Sequence, residues 1–350
     1  MAILNSLIKK ETLHILRDSR TLLVVLVMPV VLLVLFGFAI STEVNNIKVA
    51  AVIGCHNDLT RDAIERITAN SYTTFVGVVA DNKIDEVLRK GAADVVIVLK
   101  DDSGRLCTQI VTDASNTVSA KSAATYVEGI ISGTGSGSLF INRTLFNPQL
   151  KSSYNFVPGI LGMIFILICA IMTSVSIVSE KENGTMNLLL VSPVKPGIII
   201  LGKLVPYFIL SCLLLTIMLG FSYALLDIPY HGNMPEIVGV TFVYIILALS
   251  VGLLVSSMVN TQLAALIVSA ILFMIPVIML SGMIFPIDNM PAPLQWLSCV
   301  VPARWYISAM RKLMIQGVPL NLVATEIGIL CAMTTAVLLL AIKKFQTSAK

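Results

Sequence analysis

The chain has 350 residues, of which 56% are hydrophobic and 13% charged, and its mean hydropathy is +0.90. That balance excludes a soluble globule, which needs far more polar surface to meet water. The net charge of +4 comes from lysines and arginines that flank apolar runs, so it reports membrane topology and not nucleic-acid binding.

Residues 1–20 place Leu4, Leu7, Ile8, Leu13, Ile15 and Leu16 among Lys9, Lys10, Glu11, Arg17 and Asp18. The alternation suits an amphipathic helix on the inner membrane surface, and periodicity alone fits a solvated tail equally well. Residues 21–42 carry no charge and predict a first transmembrane helix. Gly37-Phe38-Ala39 resembles a signal-peptide cleavage site, but the leader before the apolar run is too long and mixed in charge, which favours a permanent anchor.

Residues 43–151 change composition and predict a separate extracytoplasmic α/β domain between helices 1 and 2. Strands are expected at 47–53, 73–79, 94–99 and 106–112, and helices at 59–69, 83–90 and 115–131. Asn57, Asp58, Asp81 and Asn116 are candidate caps. The glycine-serine run at 133–138 follows a helix, so it reads as a connector and not a phosphate cradle. Cys55 and Cys107 could form a disulfide in an exported compartment or pack as free thiols.

Five further transmembrane helices are expected across 152–343: charge-free runs at 152–179 and 204–226, two spans in 237–287 hinged at Asn260-Thr261-Gln262, and a last span at 322–343. Residues 344–350 form a tail. With the N-terminus inside, ten basic residues lie in cytoplasmic flanks (Lys9, Lys10, Arg17, Arg20, Lys181, Lys195, Lys203, Lys343, Lys344, Lys350) against three outside (Arg304, Arg311, Lys312). Both termini are therefore expected in the cytoplasm. Cys169, Cys212 and Cys331 fall within spans and read as packing residues.

The spans hold almost no ionisable residue of the kind ion-coupled carriers keep at the midplane. Glu326 is the exception, and it reads as an interfacial carboxylate paired with Arg311 or Lys312. No P-loop motif occurs, so the chain is not expected to be an enzyme or to bind a cofactor; energy must come from a partner. The place to receive it is the loop 179–203, where Glu180-Lys181-Glu182-Asn183-Gly184-Thr185-Met186 precedes an apolar stretch through Leu189 and then Ser192-Pro193. A short helix framed by Gly184 and Pro193 could transmit force from a docked protein, and an ordinary charged loop fits the same composition. The outer segment 286–316 contains both tryptophans, Trp296 and Trp305, and is too interrupted by Pro302, Arg304 and Arg311 to span. A re-entrant or interfacial helical pair is the favoured reading over a plain loop.

The 180–186 stretch with Leu189-Leu190-Val191-Ser192-Pro193 and Gly202-Lys203 resembles the loop of ABC-2 type permeases, the membrane subunits of ATP-binding-cassette exporters. Arg17 to Thr21 with Met28-Pro29 and Phe36-Gly37, Phe146-Asn147-Pro148 with Val157-Pro158-Gly159, and the outer stretch containing Gly282, Pro286, Asn289-Met290-Pro291 and Val301-Pro302-Ala303-Arg304 resemble the same family in its order. The resemblance implies an α-helical integral membrane protein with six transmembrane helices. It implies that Glu180, Lys181, Glu182, Gly184, Thr185, Met186, Leu189, Ser192 and Pro193 form the coupling element for a separate ATPase subunit that binds the ATP. It implies a second permease subunit, identical or paralogous, and in some systems a periplasmic adaptor. The implied setting is the bacterial inner membrane and the implied cargo a drug or other amphipathic compound. From the residues alone, a membrane-anchored receptor with a ligand-binding ectodomain, or a secondary carrier, remains open.

Overall fold

In a computed structural model, the described residues are 2–39, 47–54, 58–102, 105–112, 117–131, 152–186, 196–226, 228, 231–287 and 290–348. The chain divides into two compact units, Met1–Ile40 with Ser153–Lys350, and Ser41–Ser152.

The first unit is helical throughout. Helix α1 (Ala2–Arg17) meets α2 (Ser19–Ala39) at a bend of 67°. After the insert come α6 (Ser152–Glu182), α7 (Pro196–Leu226), α8 (Met234–Ser256), α9 (Gln262–Leu280), two short helices α10 (Ala292–Ser298) and α11 (Pro302–Met310), and α12 (Ala324–Ser348). Five helices are long and apolar enough to cross a bilayer, and the bent pair brings the number to six if it counts as one span. Helices α6 and α7 run farther than the charge-free gaps predicted. Residues 180–182 and 196–203 are also helical, and the charges that end those gaps have partners within the bundle.

Buried polar handles hold this apolar core in register. The rings of Tyr244 on α8 and Tyr306 on α11 stack with centroids 4.1 Å apart. The Tyr244 hydroxyl donates to the Gly162 carbonyl of α6 at 2.8 Å, and Thr241 shares a 3.1 Å hydrogen bond with the Tyr306 hydroxyl. Both phenols are thus satisfied away from water, as buried tyrosines require. Ser174 of α6 and Ser269 of α9 meet at 3.1 Å, and Cys169 of α6 meets Ser211 of α7 at 3.2 Å. Cys169 is buried and Cys212 half-buried, but Cys331 is exposed on α12 among the described residues, which corrects its reading as a packing residue.

The insert is an α/β unit with a four-stranded sheet in the order β2-β1-β3-β4. Its strands are β1 (Ile47–Ile53), β2 (Thr73–Val78), β3 (Val95–Asp102) and β4 (Arg105–Thr112). The first three are parallel and β4 runs antiparallel to β3. The β-branched runs make these strands because both sheet faces are covered. Helices α3 (Asp58–Ala69) and α5 (Thr117–Ile131) cover one face, where Ala63, Ile67 and Val127 pack on Ile47, Val49 and Ile97. A 3-10 turn at Asp81–Lys83 leads into α4 (Ile84–Arg89), whose Leu88 packs on Ala50, Val52, Val96 and Val98 of the other face. The helix expected at 83–90 therefore opens as a tighter turn, with Asp81 as its first residue instead of a cap. Asp58 likewise begins α3. Asn57, Asn116 and the run at 133–138 lie outside the described residues, as does Cys55; Cys107 is a free, exposed thiol on β4.

Candidate functional site

Helix α6 ends in three consecutive charges, and each reaches a different neighbour. Glu180 accepts a hydrogen bond from the Lys10 ammonium of α1 at 2.7 Å, and its other oxygen lies 3.1 Å from the Lys203 ammonium of α7. Lys181 donates to the Ser256 carbonyl at the end of α8 at 2.5 Å. Glu182 accepts from the Gln262 backbone N–H at 3.0 Å, next to Thr261, whose hydroxyl accepts from Ala264 N–H. A carboxylate there complements the positive end of α9, and a cation at the end of α8 complements the negative one. Three residues of α6 thus join α1, α7 and the adjoining ends of α8 and α9.

The core of this arrangement is an alternating set of four charges. Lys203 donates to Glu11 at 2.9 Å, and both side chains are only 6% exposed. It also reaches Ser176 at 3.4 Å. Lys10 lies 3.9 Å from Glu11. Two cations and two carboxylates balance, which is the condition for holding charge out of water. Partial burial pulls the Lys10 ammonium down, but its hydrogen bond to Glu180 and the charges of Glu180 and Glu11 outweigh that and hold its pKa above the ordinary lysine value. Helix α1 can lie this close because position 202 is glycine: a Cβ there would come within 2.9 Å of the Leu7 side chain.

Beyond Glu182 the chain turns at Gly184, whose φ of 71° favours glycine. Thr185 donates back to the Glu180 carbonyl at 3.2 Å. Met186 is buried against Ile177, Ile200, Leu253 and Ala341 and anchors the far side of the turn. Glu182, Asn183, Gly184 and Thr185 face outward. Of the residues expected to couple to a partner, the structure therefore turns Glu180, Lys181 and Met186 into the bundle and leaves Glu182, Gly184 and Thr185 at the surface. Leu189, Ser192 and Pro193 lie outside the described residues. Sequence reasoning missed Glu11 and Lys203 as site residues; the signal was Lys203 interrupting an otherwise apolar helix directly after Gly202.

The expected outer segment contains two helices joined by a corner. Arg304 donates to the Gln295 carbonyl at 3.0 Å, to the Ser298 hydroxyl and to the Cys299 sulfur, and lies 5.0 Å from the centre of the Trp305 ring. The Trp305 N–H donates to the Cys299 carbonyl at 3.0 Å. Pro302 opens α11, where the missing N–H costs nothing. Trp296 is 80% exposed, and Pro286 is exposed. Gly282 is buried with a φ of 80°, and its carbonyl accepts from Arg311 at 2.8 Å. Glu326 pairs with Lys312 at 2.5 Å and accepts from Ser308 at 3.0 Å, while Arg311 is engaged at Gly282.

Residues 19–343 match the family of ABC-2 family transporter proteins. The chain is 28% identical over 361 residues to the probable multidrug ABC transporter permease YbhS of Escherichia coli (strain K12), covering 97% of this chain and 94% of that protein. It is 28% identical to the probable multidrug ABC transporter permease YbhR of the same organism, over 94% of each. A shorter similarity, 24% identical and covering 49% of this chain and 44% of the relative, is to the linearmycin resistance permease protein LnrN of Bacillus subtilis (strain 168).

Proposed function

The chain belongs to the ABC-2 family of transporter proteins, and from that premise we propose that it exports amphipathic compounds, drugs among them, on energy delivered by a separate ATPase subunit. The observation that carries this reading is the stitching of Glu180, Lys181 and Glu182 to α1, to α7 and to the adjoining ends of α8 and α9 beside an exposed turn at 183–185. A push on that turn reaches five helices, counting α6, through direct polar contacts. Rigid-body tilting of the joined helices would carry such a push to the far end and alter access there.

In this reading the turn is cytoplasmic, both termini are cytoplasmic, and the insert lies outside the inner membrane, where an adaptor could meet it. Glu182, Asn183, Gly184 and Thr185 contact the ATPase, while Glu180 and Lys181 pass the displacement on. A second permease subunit completes the translocation path. ATP binds the partner, and this chain holds no cofactor. The multidrug and linearmycin-resistance names of the relatives and the scarcity of charge in the spans support an amphipathic cargo.

The test is uptake of a fluorescent amphipathic dye into inside-out vesicles containing the complete transporter. ATP-dependent uptake that survives a protonophore, and is lost in Thr185→Trp, supports the reading. Uptake that follows the proton gradient without ATP would sink it.

A further inference from the structure

We propose that the insert carries a binding site for a small amphipathic zwitterion, of amino-acid size, in a crevice at the carboxyl ends of β1, β2 and β3. The topology creates the crevice. From β1 the chain crosses through α3 to β2 on one side, then through α4 to β3 on the other. The two helices pack on opposite sheet faces, α3 against Val49 and Ala51 and α4 against Val52 and Val98. Connections that diverge in this way leave a gap at the carboxyl ends of the central strands, the place where open parallel sheets bind ligands.

The gap is an open crevice of about 400 Å³, within the size range of small-molecule sites. Its floor is apolar: Val52 and Val98 are buried and Val79 is half-buried. Its lining also includes the small side chain of Ala80 and two charged residues of opposite sign, Asp81 and Lys100. Both are exposed, and neither takes part in an ion pair among the described residues. An apolar floor with one free cation and one free carboxylate at its lining matches a ligand with an apolar body, a carboxylate for Lys100 and an ammonium for Asp81. Each contact would be a charge-assisted hydrogen bond.

Binding is measured on the full chain in lipid nanodiscs by fluorine NMR, with ring-fluorinated L-phenylalanine as the probe. The expected result is saturable binding, lost in Ala80→Trp, which fills the cavity, kept in Ala80→Ser, and weakened about tenfold in Lys100→Glu. The matching fluorinated phenylpropionate and phenethylamine, each with one charge, should bind more weakly than the zwitterion. Three results overturn the site: no saturable signal at millimolar probe, equal binding in Ala80→Trp, or equal binding in Lys100→Glu. Equal affinity for the acid or the amine alone overturns the ligand class. The measurement needs neither ATP nor transport, so its failure leaves the exporter reading standing.

Discussion

Lys203 of α7 and Glu11 of α1 form a 2.9 Å ion pair with both side chains almost sealed from water, which makes the amphipathic N-terminal helix part of the bundle's base. Truncating one partner leaves a buried charge without compensation. Lys203→Met should therefore lower stability by about 3 kcal/mol, read as a lower melting temperature of the purified protein, and should expose α1 to protease. Lys203→Arg should retain most of the stability, and Glu11→Gln combined with Lys203→Met should recover part of the loss. Unchanged melting in the single variant would contradict this account of the pair.

Lys10 holds its proton above the ordinary lysine range. A pKa raised on folding contributes stability that is full below the unfolded value and disappears as pH rises through the folded one. The attachment of α1 through Lys10 should thus be insensitive to pH across the neutral range and weaken only in strong alkali. Loosening of α1 near neutral pH, followed by protease cleavage, would argue that Lys10 is not its anchor.

Glu182 makes one structural contact, to Gln262 of α9, and has one proposed role, at the ATPase contact. As an acceptor at the N-terminus of α9 it should contribute about 1 kcal/mol, so Glu182→Gln should cost little stability. Glu182→Lys places a cation at the positive helix end and should abolish ATPase-driven export, by at least about tenfold in initial rate, while the chain still inserts. Thr185→Trp should block export with a smaller change in melting temperature than Glu182→Lys. Normal export by both variants would place the coupling contact elsewhere.

Arg304 joins α10 to α11 through three acceptors and the Trp305 ring. Lysine lacks the planar fork and cannot reproduce this set. Arg304→Lys should cost about 1 kcal/mol and shift tryptophan emission as Trp305 loses its hydrogen bond to Cys299. An unchanged spectrum would show that the corner is held without Arg304.

Glu326 is read as a structural partner of Lys312 and Ser308, not as a proton carrier. Glu326→Gln keeps both hydrogen-bonding shapes and should leave export insensitive to a protonophore, as in the parent. A variant whose export lost a proton dependence present in the parent would reverse that assignment.

Much of the fold could be read directly from residue patterns. In the insert, the apolar run at Ile47 gave β1 with the expected bounds, the runs around Thr73 and Val95 gave β2 and β3 with bounds shifted by a residue or a few, and Leu59 to Ala69 gave α3 through its helical spacing. Strand order could not be read, because parallel neighbours are set by crossover handedness and packing and leave no local pattern. In the bundle, gaps between charges located the long helices but shortened α6 and α7, since a gap cannot show that Glu182 and Lys203 have partners. The charged stretch 180–186 was visible as a dense polar run after a long apolar one. Which of its residues face inward was not, because Glu180 and Glu182 differ only by the helix face that meets Lys10 and Lys203.

The proposed function requires a separate ATPase to dock on the turn beside Glu182. The most direct measurement is gentle-detergent purification of the tagged chain from native membranes, followed by mass spectrometry of the proteins it retains. Recovery of a P-loop ATPase in near-equal amount, lost in Glu182→Lys and in Thr185→Trp, is the predicted result. Recovery of the chain without any ATPase, from membranes in which it is active, would contradict it.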